Sequence, residues 1–163
     1  MAVMEMDSGI ALLESPCGMA GKMSGKSGKL ILVVEDDEDM NELVCTILQQ
    51  AGYQTESAFS GGQGIEKAAA ILPDLVLLDI VLPDGSGVDV CRTLMRSEDT
   101  KGIPIIMLTV RKELSAKLSS YVAGAKRFIT KPFQVDELVH EVRLALRQHL
   151  ASPAEDTLLD PRD

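Results

Sequence analysis

The sequence contains no tryptophan, and its aromatic residues amount to only 3% of the chain. Surfaces that bind single-stranded nucleic acid stack bases on aromatic side chains, so this scarcity argues against such a surface. The formal net charge is -9 at pH 7, whereas nucleic acids and anionic membranes attract lysine and arginine. We therefore expect no direct nucleic-acid binding and no membrane binding.

Cysteine is also scarce, because the chain has only Cys17, Cys45 and Cys91, widely separated and in no C-x-x-C pair. This pattern favours neither a disulfide framework nor a zinc site. The first residues carry acids where a signal peptide carries lysines, and no run approaches the roughly 18 apolar residues of a membrane helix. We expect a cytoplasmic protein.

Composition divides the chain into three parts. Residues 1–28 are rich in methionine, glycine and serine without sustained periodicity, which is typical of a flexible leader. Residues 29–150 alternate apolar runs with helical patterns and predict one folded domain. Residues 151–163 contain prolines and acids, and we expect them to form a disordered acidic tail.

The alternation within residues 29–150 predicts an α/β fold. Continuous apolar runs of strand length are typical of parallel strands buried on both faces, and helical stripes lie between them. Five strands alternating with five helices predict a doubly wound parallel sheet with helices on both faces. The predicted strands are 30–34, 55–59, 75–78, 105–108 and 127–130. The helical stripes are Met40, Leu43, Val44, Ile47 and Leu48; Ile65, Ala68, Ala69 and Leu72; and further stripes that begin at Val88, Leu114 and Val135.

One short stretch, AGKMSGKS at residues 20–27, matches the pattern of a phosphate-binding P-loop. A P-loop works as a turn from a strand into a helix, where backbone N–H groups meet the phosphates. Here the upstream segment is broken by Pro16 and Gly18, and a predicted strand follows. We therefore interpret this stretch as part of the leader.

Polar side chains follow four of the predicted strands, and ligands of open parallel sheets bind outside these carboxyl ends. Glu35 and Asp36 follow the first strand, Asp79 ends the third, Thr109 ends the fourth, and Lys131 follows the fifth. Three carboxylates in close proximity favour a bound cation, and oxygen ligands suit Mg²⁺. Acids after a strand also cap helices, which is the role we predict for Asp37, Glu38 and Asp39.

These residues lie in segments that resemble the receiver domain of bacterial two-component response regulators. The similar segments are ILVVED at 31–36, PDLVLLDIVLPDGSG at 73–87, PIIMLT at 104–109 and FITKPF at 128–133. Their order and spacing agree with the family over about 29–149. The resemblance implies a CheY-like, flavodoxin-like sheet with strand order 2-1-3-4-5.

The resemblance also implies a role for each residue. Asp79 would accept a phosphoryl group from a histidine kinase or a histidine phosphotransfer protein. Asp36, Asp79 and the backbone carbonyl of Val81 would ligate Mg²⁺, or Mn²⁺ in its place, with Glu35 acting through water. Lys131 and Thr109 would contact the phosphoryl group. Phe128 would couple Thr109 to the face formed by the fourth predicted helix, the fifth strand and the fifth helix.

Further expectations follow from the same resemblance. The chain would not be an enzyme, since the kinase is a separate protein, although it takes part in its own phosphorylation and dephosphorylation. It would signal to a downstream protein as a monomer or as a weak phosphorylation-dependent homodimer. The alternative is an interaction scaffold that keeps the fold without phosphorylation.

Three features depart from the family pattern. Val110 stands where the family usually has a very small residue, which predicts slow phosphorylation and a long-lived phosphoryl group. Lys126 and Arg127 stand where DNA-binding members often carry acids, so an acid-dependent dimer contact is not expected. The thirteen residues after Leu150 are too few for a winged helix or an ATPase, so we expect no output domain within this sequence.

Overall fold

The computed structural model describes residues 28–110 and 123–162, with side chains described as far as residue 148. The AGKMSGKS stretch and the fourth predicted helix lie outside the described residues. Five parallel strands form the central sheet: β1 (Leu30–Val34), β2 (Gln54–Ala58), β3 (Leu75–Asp79), β4 (Ile105–Thr109) and β5 (Arg127–Thr130). The described helices are α1 (Glu38–Gln50), α2 (Gly61–Ile71), α3 (Gly87–Arg96) and the C-terminal helix (Val135–Arg162).

The strand order is β2-β1-β3-β4-β5, which confirms the predicted order. The predicted strand ranges are confirmed to within one residue at each end. A small hairpin also follows β3, in which Val81–Leu82 pairs with Gly85–Ser86. Its two strands have only two residues each, too few to leave an alternating pattern in the sequence.

Both faces of the sheet are covered, which explains the continuous apolar runs. Ile31 and Val33 of β1 belong to a core cluster with α1 and the C-terminal helix. Leu32 and Val34, which alternate with them, belong to a second cluster with α2 and α3. Because successive strand side chains point to opposite faces, each residue of such a run is buried. Each buried leucine, isoleucine or valine contributes about 1.5–3 kcal/mol to folding.

The C-terminal helix continues to Arg162, so the expected disordered tail from residue 151 is wrong for the backbone as far as residue 162. Ala151, Ala154 and Glu155 are good helix formers. Pro153 removes one backbone donor, which weakens a helix locally, while the flanking residues still propagate it. The domain boundary at residue 150 stays a prediction. Within the described ranges, no helix has the combined length and apolar character needed to cross a membrane.

Candidate functional site

The carboxyl ends of β1, β3 and β5 bring together three carboxylates and one ammonium group. Glu35, Asp36 and Asp79 each offer an oxygen within 4.8 Å of the others. The Nζ atom of Lys131 lies 2.7 Å from Oε1 of Glu35 and 3.3 Å from Oδ2 of Asp79. Glu35 is 2% exposed and Asp79 is 5% exposed, whereas Asp36 faces solvent. The sequence prediction that these four side chains converge is therefore matched by the geometry.

Burial and charge set the protonation of this cluster. Burial raises the pKa of Glu35, the hydrogen bond from Lys131 offsets part of that rise, and the charge of Asp79 adds to it. Burial alone would lower the pKa of Lys131, but its hydrogen bond to Glu35 and the nearby charge of Asp79 raise it overall. Lys131 therefore remains a cation at neutral pH, held between two carboxylates that need a positive charge.

A buried asparagine fixes the turn that carries Glu35 and Asp36. The Nδ2 atom of Asn41 donates to the carbonyl oxygen of Glu35 at 3.0 Å and lies 3.3 Å from that of Ala58. Its Oδ1 atom accepts a 2.6 Å hydrogen bond from the Ser57 hydroxyl. Asn41 thus joins the ends of β1 and β2 directly beneath the acidic turn. Sequence analysis did not identify it, although an asparagine within an apolar helical stripe was the available signal.

The loop that follows Asp79 is held close to that residue. The N–H of Val81 donates to Oδ1 of Asp79 at 3.2 Å, and the N–H of Gly87 donates to the carbonyl of Ile80 at 2.6 Å. A Cβ atom on Gly87 would lie 2.1 Å from the carbonyl oxygen of Asp79, so only glycine allows this approach. The side chain of Val81 is 65% exposed at the edge of the site.

Thr109 and Phe128 lie on adjacent strands near this cluster. Thr109 is 4% exposed at the end of β4, next to the strand that ends in Asp79. Phe128 pairs in register with Met107, which shares a face of β4 with Thr109. Phe128 also packs against the core cluster on that face. Val110, the next residue after Thr109, is 57% exposed.

One further sequence prediction, the cap of α1, has a structural outcome. Asp37 caps α1, because its side chain accepts from the N–H groups of Asp39 and Met40, as predicted. Arg127 forms an ion pair with Glu141 of the C-terminal helix, while Lys126 is exposed. The peptide bond between Lys131 and Pro132 is cis.

The donor set fits a hard divalent cation. Glu35, Asp36 and Asp79 offer only carboxylate oxygens, which are the ligands that Mg²⁺ prefers, and the exposed Asp36 leaves room for the water that Mg²⁺ retains. A single lysine cannot neutralise three carboxylates, so a cation would also relieve their mutual repulsion.

Comparisons with known proteins agree with this geometry. The family model of the response regulator receiver domain matches residues 31–143. The chain is 39% identical over 118 residues to the DNA-binding dual master transcriptional regulator RpaA of Synechocystis, covering 72% of this chain and 49% of the relative. It is 37% identical over 128 residues to the phosphate regulon transcriptional regulatory protein PhoB of Escherichia coli, covering 78% of this chain and 56% of the relative. The chain thus spans about half the length of these relatives.

A solved structure supports the same assignment. The CheY-like response regulator receiver domain protein of Methanospirillum hungatei superposes with a TM-score of 0.73 at 30% identity. The match covers 77% of this chain and 99% of that one. Because the family model matches residues 31–143, and the fold and the converging acidic strand ends agree with it, this chain belongs to the response regulator receiver domain family of two-component systems.

Proposed function

We propose that this chain is a response regulator in which Asp79 accepts a phosphoryl group from a histidine kinase or a histidine phosphotransfer protein. The observation that carries the proposal is the position of Lys131, whose ammonium group contacts both Asp79 and Glu35 at the carboxyl edge of the sheet. The kinase is a separate protein. The chain is therefore not an enzyme in this proposal, although its residues promote its own phosphorylation and dephosphorylation.

In the proposed reaction, a carboxylate oxygen of Asp79 attacks the phosphorus atom of a phosphohistidine. A new phosphorus–oxygen bond forms while the phosphorus–nitrogen bond breaks, and the imidazole nitrogen keeps the electron pair. Phosphoryl transfer depends mainly on positioning and on neutralising the oxygens of the moving group. Lys131 supplies a positive charge within 3.3 Å of Asp79.

The proposed cofactor is Mg²⁺, with Mn²⁺ as a substitute. Asp36, Asp79 and the backbone carbonyl of Val81 would hold it directly, and Glu35 would hold it through a water molecule. When bound, the cation would neutralise charge on the phosphoryl oxygens. The three carboxylates within 4.8 Å of one another support this ligand set.

Thr109 and Phe128 are the proposed switch residues. The Thr109 hydroxyl would donate to a phosphoryl oxygen, and its movement would allow Phe128 to repack. The shared face of these residues on β4 and β5 supports the coupling. Repacking would change the surface formed by the fourth predicted helix, β5 and the C-terminal helix, and hence what binds there.

The remaining parts of the proposal concern partners and boundaries. We place the receiver domain at residues 29–150 and the protein in the cytoplasm. Its output passes through a downstream protein, as a monomer or a weak phosphorylation-dependent homodimer. Direct nucleic-acid binding by this chain is not proposed, because its net charge is -9. The DNA-binding activity named for RpaA belongs to a protein about twice the aligned length.

Transfer from a phosphohistidine tests this function. A histidine phosphotransfer protein carrying a radiolabelled phosphoryl group is mixed with the wild-type chain, with Asp79→Asn and with Asp74→Asn, in Mg²⁺. The label is expected on the wild type and on Asp74→Asn, and to be absent from Asp79→Asn. Label on Asp79→Asn would identify another acceptor. If acetyl phosphate also leaves the wild type unlabelled, the phosphorylation-independent scaffold becomes the better account.

A further inference from the structure

We infer that Asp84 is a positioning residue for the phosphoacceptor loop, because its carboxylate fastens the hairpin that carries Val81 to the first turn of α2. Oδ1 of Asp84 accepts from the N–H of Gly61 at 2.8 Å, and Oδ2 accepts from the N–H of Gly62 at 2.9 Å. Both oxygens are thus engaged by an element that begins more than twenty residues earlier in the chain. The inference rests on the proposed function, which makes the carbonyl of Val81 a cation ligand.

The hairpin that Asp84 joins to α2 is short. Each of its strands has two residues, and Asp84 lies in the turn that joins them. A two-stranded hairpin is marginally stable unless it packs against other elements. At the end of the hairpin near the carboxylate cluster, the N–H of Val81 donates to Oδ1 of Asp79. On the side that faces the core, Leu82 is 6% exposed. At the opposite end of the hairpin, Asp84 joins it to α2 through two hydrogen bonds.

Charge and shape both favour the contact of the Asp84 carboxylate with the first turn of α2. The first N–H groups of a helix lack partners within the helix and carry partial positive charge, so a carboxylate stabilises them. These two hydrogen bonds lower the pKa of Asp84, because they favour its ionised form. A Cβ atom on Gly61 would lie 3.1 Å from Oδ1 of Asp84 and 2.9 Å from a methyl group of Val90, so glycine allows the close fit.

The tie matters for the cation because Mg²⁺ requires nearly octahedral geometry at short distances. A loop that moves by a fraction of an ångström presents its carbonyl less often at the required position. Residues that orient metal ligands typically alter metal affinity by 10- to 100-fold when they are replaced. Asp84 acts on one ligand of several, so the lower end of that range is expected.

Direct titration with Mg²⁺, followed by backbone amide chemical shifts, tests the inference without a phosphorylation assay. Asp84→Ala is expected to raise the Kd for Mg²⁺ about tenfold, and Asp84→Asn, which keeps one oxygen acceptor, by less. The matched control is Asp74→Ala. Its carboxylate also accepts a hydrogen bond from a backbone N–H, that of Leu30 at 2.7 Å. This contact lies at the amino ends of the strands, whereas the carboxylate cluster lies at their carboxyl ends. Asp74→Ala is expected to leave the Kd unchanged.

Three outcomes would overturn the inference. Equal Kd values for Asp84→Ala and the wild type would show that the hairpin needs no tie. Equal weakening by Asp84→Ala and Asp74→Ala would show only general destabilisation. The result is separable from the proposed function, because phosphorylation of Asp79 is measured independently by label transfer. A wild type that binds no Mg²⁺ would overturn this inference together with the metal part of the proposed function.

Discussion

Nζ of Lys131 lies 2.7 Å from Oε1 of Glu35, although 96 residues separate them and two strands lie between β1 and β5 in the sheet. The ammonium group also contacts Asp79 on the intervening strand β3. One side chain therefore links three parallel strands at their carboxyl ends. Because Glu35 and Asp79 are both buried, this lysine is the positive charge that allows them to remain close together.

Removing that charge is expected to destabilise the fold. Lys131→Met should lower the free energy of unfolding by about 2 kcal/mol, measured by urea titration in EDTA. This loss is smaller than that expected when one partner of a fully buried ion pair is removed, because the pocket around Lys131 is partly open to solvent. Mg²⁺ should recover part of the loss. The control is Lys101→Met, whose ion pair with Glu98 is exposed and contributes less than about 1 kcal/mol. Equal losses in the two variants would contradict this account of Lys131.

The contribution of Asp84 to the free energy of unfolding is expected to depend on pH. Its pKa in the folded chain is lower than its ordinary value of 3.8, mainly because Gly61 and Gly62 donate hydrogen bonds to it. A lowered folded-state pKa stabilises the fold above the unfolded-state pKa, and this stabilisation is lost as pH falls through the folded-state value. The difference in free energy of unfolding between the wild type and Asp84→Asn should have its full value at pH 6 and should shrink below about pH 4. Urea denaturation across this range measures it, and a pH-independent difference would contradict the prediction.

Asn41 provides a test of the support beneath the acidic turn. Asn41→Ala removes the oxygen that accepts from the Ser57 hydroxyl and the N–H group that donates to the Glu35 carbonyl, at a position where Asn41 is 1% exposed. A loss of about 2 kcal/mol is expected from urea denaturation. Gln63→Ala removes the exposed oxygen that accepts from the N–H of Phe59, and it should lower the free energy of unfolding by less than about 1 kcal/mol. A smaller effect at Asn41 than at Gln63 would show that the buried network contributes little.

The sheet could be predicted because strand burial on both faces leaves continuous apolar runs, and polar residues at the strand ends stand out against them. The helical faces were predicted less well. In α1 the buried face includes Asn41, while Leu43 is 48% exposed, because a polar side chain takes an inward position and rotates the buried stripe. In α2 the buried face includes Gly61 and Gly64, since Gly64 packs against Val34, and it leaves Leu72 54% exposed.

The long-range supports of the site could not be predicted from periodicity. The contact of Asp84 with Gly61 joins the hairpin turn to the first turn of α2, and no alternating or helical pattern in the sequence places the one next to the other. Asp84 lies within the similar segment at 73–87, for which the resemblance implies no role at this position. The convergence of Glu35, Asp79 and Lys131 was predictable because parallel strands place their carboxyl ends at one edge.

Val110 is expected to lengthen the lifetime of the phosphoryl group. Its side chain, 57% exposed, follows Thr109 at the edge of the site, where it would hinder the approach of a phosphodonor or water. Val110→Ala should therefore speed both phosphorylation by acetyl phosphate and the later loss of phosphate, each followed by intact mass. Val135→Ala is the matched control, because Val135 has similar exposure at the start of the C-terminal helix. Rates unchanged by Val110→Ala would contradict the prediction.

The central claim is that Asp79 is the phosphoacceptor, and intact-protein mass spectrometry tests it most directly. The wild-type chain is incubated with acetyl phosphate and Mg²⁺, beside Asp79→Ala and a wild-type sample with EDTA. The account predicts a gain of about 80 Da, one phosphoryl group, on the wild type in Mg²⁺ and no gain in the other two samples. The same gain on Asp79→Ala, or none on the wild type, would contradict it.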